Sequence, residues 1–577
     1  MDKCEKVLEL ARRRGFFTIA SELYGGVAGF LDFGPLGTLL KKRIEEKWRQ
    51  VFIKQHQDFI FEIETSVVMP SKVFEASGHV EHFTDFIVEC SKCGRKFRAD
   101  HLIEEQVEDI TGLEGMTPAQ LTNIIREHHV VCPECGGELE EVQTFNLLFK
   151  TAVGPYTENI AYLRPEAAQG MFVNFKHLYY ALRERLPLGL AQIGKVFRNE
   201  ISPRQGPIRL REFTIMEIEL FFDPENPSCS LLDRVENEVL RLVPEELVAK
   251  GVFEPVEVKV REAVEEKLIL TEWQAYFMAL ATKFVEELGV PQKAQMFIGK
   301  PKEERAHYSA QTYDQMVKLD RWGWVEVSGH AYRTDYDLAG HMKFSGEDLR
   351  VFKKLPEKIV ERKLIAKPRM QVLGKLFKEK APLMANTIRE SDPKWLREAL
   401  EKGSCKIGGF EISKDCVEFV EEEVEVTGRR FIPHVAEPSF GAERLTYVAL
   451  EYSYTEREDR VVLKLPRDLA PIQAAVFPLV SKPPLTEVAL QIADVLRSLG
   501  YYIDYDDSGS IGRRYARVDE VGVPLVITID YQTLEDDTVT LRDRDTWKQV
   551  RVPIKAVPEA LERFLKGARL EELGVPV

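Results

Sequence analysis

The chain has 577 residues, of which 44% are hydrophobic and 30% charged, and a formal net charge of −15. That length holds several domains with ample core, and the acidic balance argues against a protein that coats nucleic acid indiscriminately while leaving room for local basic patches. No apolar run approaches a membrane span, and the start MDKCEKVLELARRRGFF has no signal-peptide apolar segment and carries Asp2 and Glu5, against a transit peptide.

A cytoplasmic location with no membrane partner is therefore the expectation. Cysteine usage agrees. Four of the eight cysteines form two CxxC pairs, and Cys4, Cys229, Cys405 and Cys416 are scattered, which is not a disulfide framework.

From Leu36 the spacing predicts a helix with Leu39, Leu40, Ile44, Trp48, Val51 and Phe52 on one face. A strand follows, with Phe59, Phe61 and Ile63 alternating against Ile60, Glu62 and Glu64, and stops near Pro70. Cys90 and Cys93 in ECSKCGR then pair with Cys132 and Cys135 in VCPECGG across 38 intervening residues, 94–131. Each pair is followed by glycine, which permits the tight turn that aims two thiolates at one ion. Four thiolates suit a closed, tetrahedral, structural zinc site; four reduced cysteines without metal are the alternative. In YTENIAYLRPEAAQGMFVNF, Pro165 and Glu166 suit the first turn of a helix, and on spacing alone Glu166 reads as its cap.

Residues 197–222, FRNEISPRQGPIRLREFTIMEIELFF, read as two antiparallel strands joined by a loop from about Ser202 to Pro207. Parity places Thr214, Met216, Ile218, Leu220 and Phe222 on an apolar face. Arg209, Arg211, Phe213, Glu217 and Glu219 point the other way, with Arg198 and Glu200 able to share that face. A solvated sheet face would also be charged. Glu217 in the middle of an apolar run argues for a cation that answers it, because an unpaired carboxylate is costly there.

A mixed segment follows, helical around Trp273 to Leu288. Next, WGWVEVSGHAYRTDYDL forms a strand with Glu326 between Val325 and Val327. Residues 345–425 are Lys- and Glu-rich. In FIPHVAEPSFGAERLTYVALEYSY a strand turns into a helix at Ser439 to Gly441, with Glu437 and Ser439 sharing a face. Arg444 in the first helical turn is unfavourable unless an anion such as a phosphate, or a carboxylate, answers it. From about Pro471 a strand–helix–strand rhythm predicts a separate α/β domain with a mostly parallel sheet. It has no GxGxxG or GxxxxGK[ST] turn. Arg513, Arg514 and Arg517, with Tyr515 among them, suit either a nucleic-acid backbone or a solvated helix face.

With FRNE, REFTIMEIE and PSFGAERL in view, the chain resembles a class II aminoacyl-tRNA synthetase, most closely the glycyl enzymes of archaeal and eukaryotic type. The helix and strand ending at Pro70 match motif one, the dimer interface; FRNE through Glu219 matches motif two, and PSFGAERL motif three. RPEAAQG, MEIE and AEPS are similar to the glycine-specific pocket.

The resemblance implies an α+β fold. A catalytic core on an antiparallel sheet spans 1–89 with motif one, 141–222 with motif two, 321–344 and 426–465 with motif three. Between these lie a zinc-binding-like insertion at 90–140, a mixed insertion at 223–320 and a peripheral insertion at 345–425. An α/β anticodon-binding domain occupies 466–577.

By matching positions, the resemblance implies an ATP site of Arg198, Asn199, Glu200, Arg209, Leu210, Glu326, Val327 and Arg444, with Phe213 stacked on adenine. Glu166, Glu217, Glu437 and Ser439 would bind glycine, with Arg333 nearby. Arg198, Glu326 and Arg444 carry the catalysis, and Glu326 is the best protein ligand for Mg²⁺. The partners implied are ATP, glycine, tRNA(Gly) and a second copy of the chain. The expected activity is ATP-dependent attachment of glycine to tRNA through glycyl-adenylate. Three rivals stand beside it: a sibling synthetase for another small amino acid, a noncatalytic synthetase-like protein, and a zinc-dependent nucleic-acid-binding protein resting on the CxxC pairs alone.

Overall fold

The computed structural model describes residues 2–577 except 108, 109, 111, 156, 204, 205, 303, 304, 307 and 459. Its largest sheet has nine strands. In chain order they are β1 (Ile60–Glu62), β2 (Leu188–Phe197), β3 (Glu212–Phe222), β4 (Val239–Val243), β5 (Val256–Lys259), β6 (Gln295–Gly299), β7 (Gln311–Leu319), β8 (Gly323–Thr334) and β9 (His434–Gly441). In space the order is β5-β4-β6-β7-β8-β9-β3-β2-β1. The run from β6 to β2 is antiparallel throughout, while β4 with β6 and β1 with β2 pair in parallel. The sheet is therefore mixed at its margins and antiparallel where it carries the site.

Its two faces follow the parity of β3. Met216, Ile218, Leu220 and Phe222 are buried in one core with Leu40, Ile44, Trp48 and Phe52. Leu40, Ile44 and Trp48 come from the helix α1 (Pro35–Trp48). The helices α3 (Glu272–Glu287) and α5 (Ala442–Ser453) complete that side. On the opposite face Phe221 stacks with Phe175 of the helix α2 (Ala168–Ala181) at 4.3 Å between ring centroids. Alternation along one strand thus separates a dry core from a polar floor.

Several local expectations are corrected. The strand expected to run from Phe59 to Pro70 is two strands: β1 has three residues, and Val68–Pro70 pairs in a separate three-stranded sheet. Between them the chain turns at Thr65, whose carbonyl and hydroxyl both accept from the Arg164 guanidinium. The hairpin is also shorter-stranded than parity suggested. β2 ends at Phe197 and β3 begins at Glu212, so Arg198, Glu200, Arg209 and Arg211 lie in the connecting loop. Residues 223–320, expected as a mixed insertion, supply β4 to β7 of the same sheet; the strong helical pattern of α3 masked these shorter strands in the sequence.

Residues 90–140 fold as a lobe around Val88, Phe97, Leu102, Ile103, Leu121 and Ile125. Residues 350–432 form a compact unit of their own. There Val351–Pro368 and Val417–Phe431 pair antiparallel over a small core that includes Leu373, Met384, Ile388 and Leu396.

The C-terminal domain has a six-stranded sheet. Only Ile503–Tyr505, Ala474–Pro478 and Leu525–Ile529 pair in parallel; Thr538–Asp543, Gln549–Pro553 and Val575–Pro576 add antiparallel. The expected mostly parallel sheet is thus half antiparallel. Among the described residues no helix is long and apolar enough to cross a membrane.

Candidate active site

The turn Arg164-Pro165-Glu166 sits between sheet and α2. Arg164 is buried, with Nε donating to the Lys195 carbonyl at 2.9 Å. Gly194 on β2 makes this possible, since a Cβ there would stand 2.2 Å from Arg164 Nη2. Glu166 does not cap the helix. α2 begins at Ala168, and the amide of Ala167 donates to Glu217 Oε2 at 2.9 Å. Glu166 is left free to face Arg333.

Arg333 is fully buried and organises the polar floor. Nη1 donates to Glu437 Oε2 at 2.9 Å and Nη2 lies 3.4 Å from Glu166 Oε1. Nε and Nη2 grip Asp337 at 2.8 and 2.9 Å. The guanidinium lies over the Tyr308 ring at 3.7 Å. Burial favours protonation of Glu166, but Arg333 and then His79 outweigh it and hold Glu166 well below the usual glutamate range. Burial disfavours the Arg333 charge too, yet Asp337, Glu166 and Glu437 fix it.

Glu217 behaves oppositely. Burial, then Glu437 and Glu166, push its carboxyl well above the usual range. Glu219 is raised in the same way, by burial and then Glu437. Its two oxygens find no hydrogen-bond partner among the described residues. Carboxylate oxygens of Glu217, Glu219 and Glu437 lie within 4.8 Å of one another. One arginine therefore serves more carboxylates than it can neutralise, and the surplus suits an ammonium.

Ser439 pairs in register with Glu217 and joins this cluster to a cavity of about 640 Å³. Arg198, Glu200, Arg209, Leu210 and Phe213 line it from β3 and the loop before it. Glu326, Val327 and Arg444 line it from β8 and α5. Arg198 Nε donates to the Pro165 carbonyl at 3.2 Å, and its guanidinium lies 5.3 Å from the Phe213 ring centroid. Arg209 pairs with Glu200 at 2.8 Å. Burial raises the Glu326 pKa, but Arg444, Lys300 and Arg198 bring the net value below the usual range. Asn199 does not line the cavity; its amide donates to the Leu147 carbonyl.

Sequence reasoning missed several residues. Asp337, on the helix α4 (Tyr336–Ser345), stands four residues after Arg333 at the end of β8, a short separation that was legible in RTDYD. Gln169, which donates to Glu166 and Asp337, carried no charge to mark it. Asp314 lies across β7 and β8 from Glu326; burial and then Glu326 push it up to about 7 despite Lys300 at 2.9 Å. Glu443 of the GAER turn is buried, accepts the Thr214 amide at 2.6 Å and pairs with Lys41 of α1 at 3.0 Å.

In the lobe, Cys90 Sγ lies 3.5 Å from Cys135 Sγ and Cys93 Sγ 3.7 Å from Cys132 Sγ. A tetrahedron with Zn–S bonds of ~2.3 Å has S–S edges of about 3.8 Å, so the four thiols fit that ion. Gly94 and Gly136, both at φ +66°, close the two knuckles.

In the C-terminal domain Arg514 is buried and donates to the Pro478, Asp506 and Leu479 carbonyls, while the Tyr515 hydroxyl bonds Thr528. These two stabilise the domain from within and are not free to grip a backbone.

Residues 155–451 match the model of the tRNA synthetase class II core domain (G, H, P, S and T), and residues 473–564 match an anticodon binding domain. The glycine–tRNA ligase of Aeropyrum pernix is 53% identical over 100% of this chain and 99% of its own length. Those of Pyrococcus furiosus and Methanocaldococcus jannaschii are 47% and 45% identical over 98% of this chain and 100% and 99% of theirs. The structure of Cryptosporidium parvum prolyl-tRNA synthetase complexed with L-proline and AMP matches with a TM-score of 0.50 at 12% identity, over 97% of this chain and 75% of that one, a likeness of fold. With a class II core, an anticodon-binding domain and full-length identity of this order, the chain belongs to the glycine–tRNA ligase family, archaeal type.

Proposed function

We propose that this chain activates glycine with ATP and attaches it to tRNA(Gly). The observation that carries this reading is the Arg333 cluster: Glu166, Glu217 and Glu437 gathered beside an arginine-lined cavity that they meet at Ser439. Glycine offers an ammonium and a carboxylate and no side chain. Excess buried carboxylate holds the first, Arg198 holds the second, and a site of this kind must leave no room for a side chain. An extra methyl is refused sterically, so discrimination needs no editing step.

Activation joins a glycine carboxylate oxygen to the α-phosphorus of ATP and releases pyrophosphate. The reaction calls for alignment and charge neutralisation rather than a covalent nucleophile. Arg198 brings carboxylate and α-phosphate together, Arg444 and Arg209 hold the distal phosphates, and Phe213 stacks on adenine. Glu200 and the backbone around Leu210 and Val327 complete the nucleotide site, with Asn199 behind it. The terminal ribose hydroxyl of tRNA then attacks the adenylate carbonyl and AMP leaves.

Glu326 would hold Mg²⁺, with Asp314 beside it; the ion supplies further neutralisation of the phosphates. Zinc on Cys90, Cys93, Cys132 and Cys135 would be structural. A cytoplasmic homodimer assembled through motif one belongs to the same reading, as does an anticodon-binding domain at 466–577. Glycine-dependent ATP–pyrophosphate exchange tests it. Exchange with glycine and with no other amino acid is expected; no exchange, or equal exchange with serine or alanine, overturns the reading.

A further inference from the structure

The nucleotide cavity has a wall that none of the synthetase motifs supplies. His101, from the helix Ala99–Gln106 of the four-cysteine lobe, lines it together with Glu200 and Arg209. The lobe is stitched to the same loop a second time, because Ser202 Oγ donates to the Lys96 carbonyl at 3.1 Å. The strand Lys96–Arg98 leads directly into the helix that presents His101.

We propose that His101 is a nucleotide-contacting residue, held by the four-cysteine lobe against the Glu200–Arg209 end of the ATP cavity. This rests on the reading of the cavity as the ATP site. The neighbouring charges suit the role. Arg98, at the end of the strand that leads into this helix, is engaged by Asp100 through Nε at 2.9 Å and lies 3.3 Å from Asp85, and it does not line the cavity. Burial and then Arg98 hold the His101 pKa below its usual value, with Arg209 acting in the same sense against Asp100 and Glu200. The imidazole is thus neutral at neutral pH. It offers one N–H donor and one acceptor to a nucleotide without adding charge beside Arg209. The lobe, inserted in sequence between motif one and motif two, thereby becomes part of the substrate site.

The test measures the KM values for ATP and for glycine in ATP–pyrophosphate exchange, with thermal melting of the full-length variants. His101→Ala should raise the ATP KM roughly three- to tenfold, the value of one hydrogen bond. The glycine KM and the melting temperature should stay at the parent's values. His101→Asn, which keeps a donor and an acceptor, should recover most of the loss. An unchanged ATP KM in His101→Ala overturns the proposal. So does a parallel rise of both KM values with a lowered melting temperature, which would make His101 a packing residue. A parent protein without glycine-dependent exchange would instead overturn the underlying reading.

Discussion

Arg444 and Glu326 face each other at the cavity floor, with Arg444 Nη1 3.7 Å from Glu326 Oε2. The same nitrogen also donates to the Glu326 carbonyl, and Arg444 Nε donates to the Ile208 carbonyl at 3.0 Å. Three oxygens on one strand and a loop therefore orient one planar cation at the start of α5, where the helix end is already electropositive. A lysine has the charge without the fork. Arg444→Lys should fold, yet lose about a hundredfold in glycine-dependent exchange, the scale of one misplaced donor to developing charge. Exchange within threefold of the parent would show that charge alone suffices.

Glu217 gives a prediction with a sign. Burial, Glu437 and Glu166 raise its carboxyl above 4.5, so the empty pocket keeps a proton there. An incoming ammonium takes that proton's place, and glycine binding releases it. Glycine affinity should therefore rise with pH above the ordinary glutamate value, and the glycine KM should fall. Glu217→Gln mimics the protonated form and still accepts the Ala167 amide. It should raise the glycine KM at least tenfold, about 1.4 kcal/mol, flatten its pH dependence and leave the ATP KM within twofold. A steep pH dependence surviving in the variant would remove Glu217 from the proton exchange.

The β3 parity was legible because one residue in two faces a dense core: Met216, Ile218 and Leu220 against Glu217 and Glu219. Glu217 announced itself by being charged inside an apolar run. Arg209 and Arg211 misled for the converse reason. Alternation continued in the sequence past the point where the strand stops, and nothing local marks Glu212 as the first paired residue. Asp337 follows Arg333 by four residues, but the other two carboxylate partners of Arg333 come from separate stretches, Glu166 before α2 and Glu437 on β9, and no spacing links such distant residues. Arg514 shows the limit in the other direction. A charged residue in a basic run looks exposed, yet three carbonyls draw it inside.

Glu219 is the structural liability of the site. It is buried, without a hydrogen-bond partner among the described residues, and its pKa is raised by burial and Glu437. Above pH 4.5 the unfolded chain releases this proton while the folded chain keeps it, so unfolding liberates a proton. The contribution to stability is therefore lost progressively as pH rises from the unfolded value toward the folded one. Glu219→Gln keeps the shape and removes the titration. Its melting temperature should exceed the parent's at pH 8, with the gap narrowing at pH 5. An equal difference at both pH values would place the proton elsewhere in the cluster.

The four cysteines make the final prediction. Their sulfurs already stand at 3.5 and 3.7 Å across the two knuckles, near the edge length of a zinc tetrahedron. Cys90 and Cys132 are buried against the lobe's apolar core, so a loss of metal would leave thiols facing one another where thiolates had been paired with a cation. Protein purified without added zinc should contain about one zinc per chain by elemental analysis. Cys132→Ser should lose it and make the lobe, residues 90–140, the first segment cut in limited proteolysis, while the C-terminal domain keeps its resistance. Full metal content in Cys132→Ser, or a metal-free parent with an equally resistant lobe, would mean that the apolar core around Leu102 and Ile125 holds the lobe by itself.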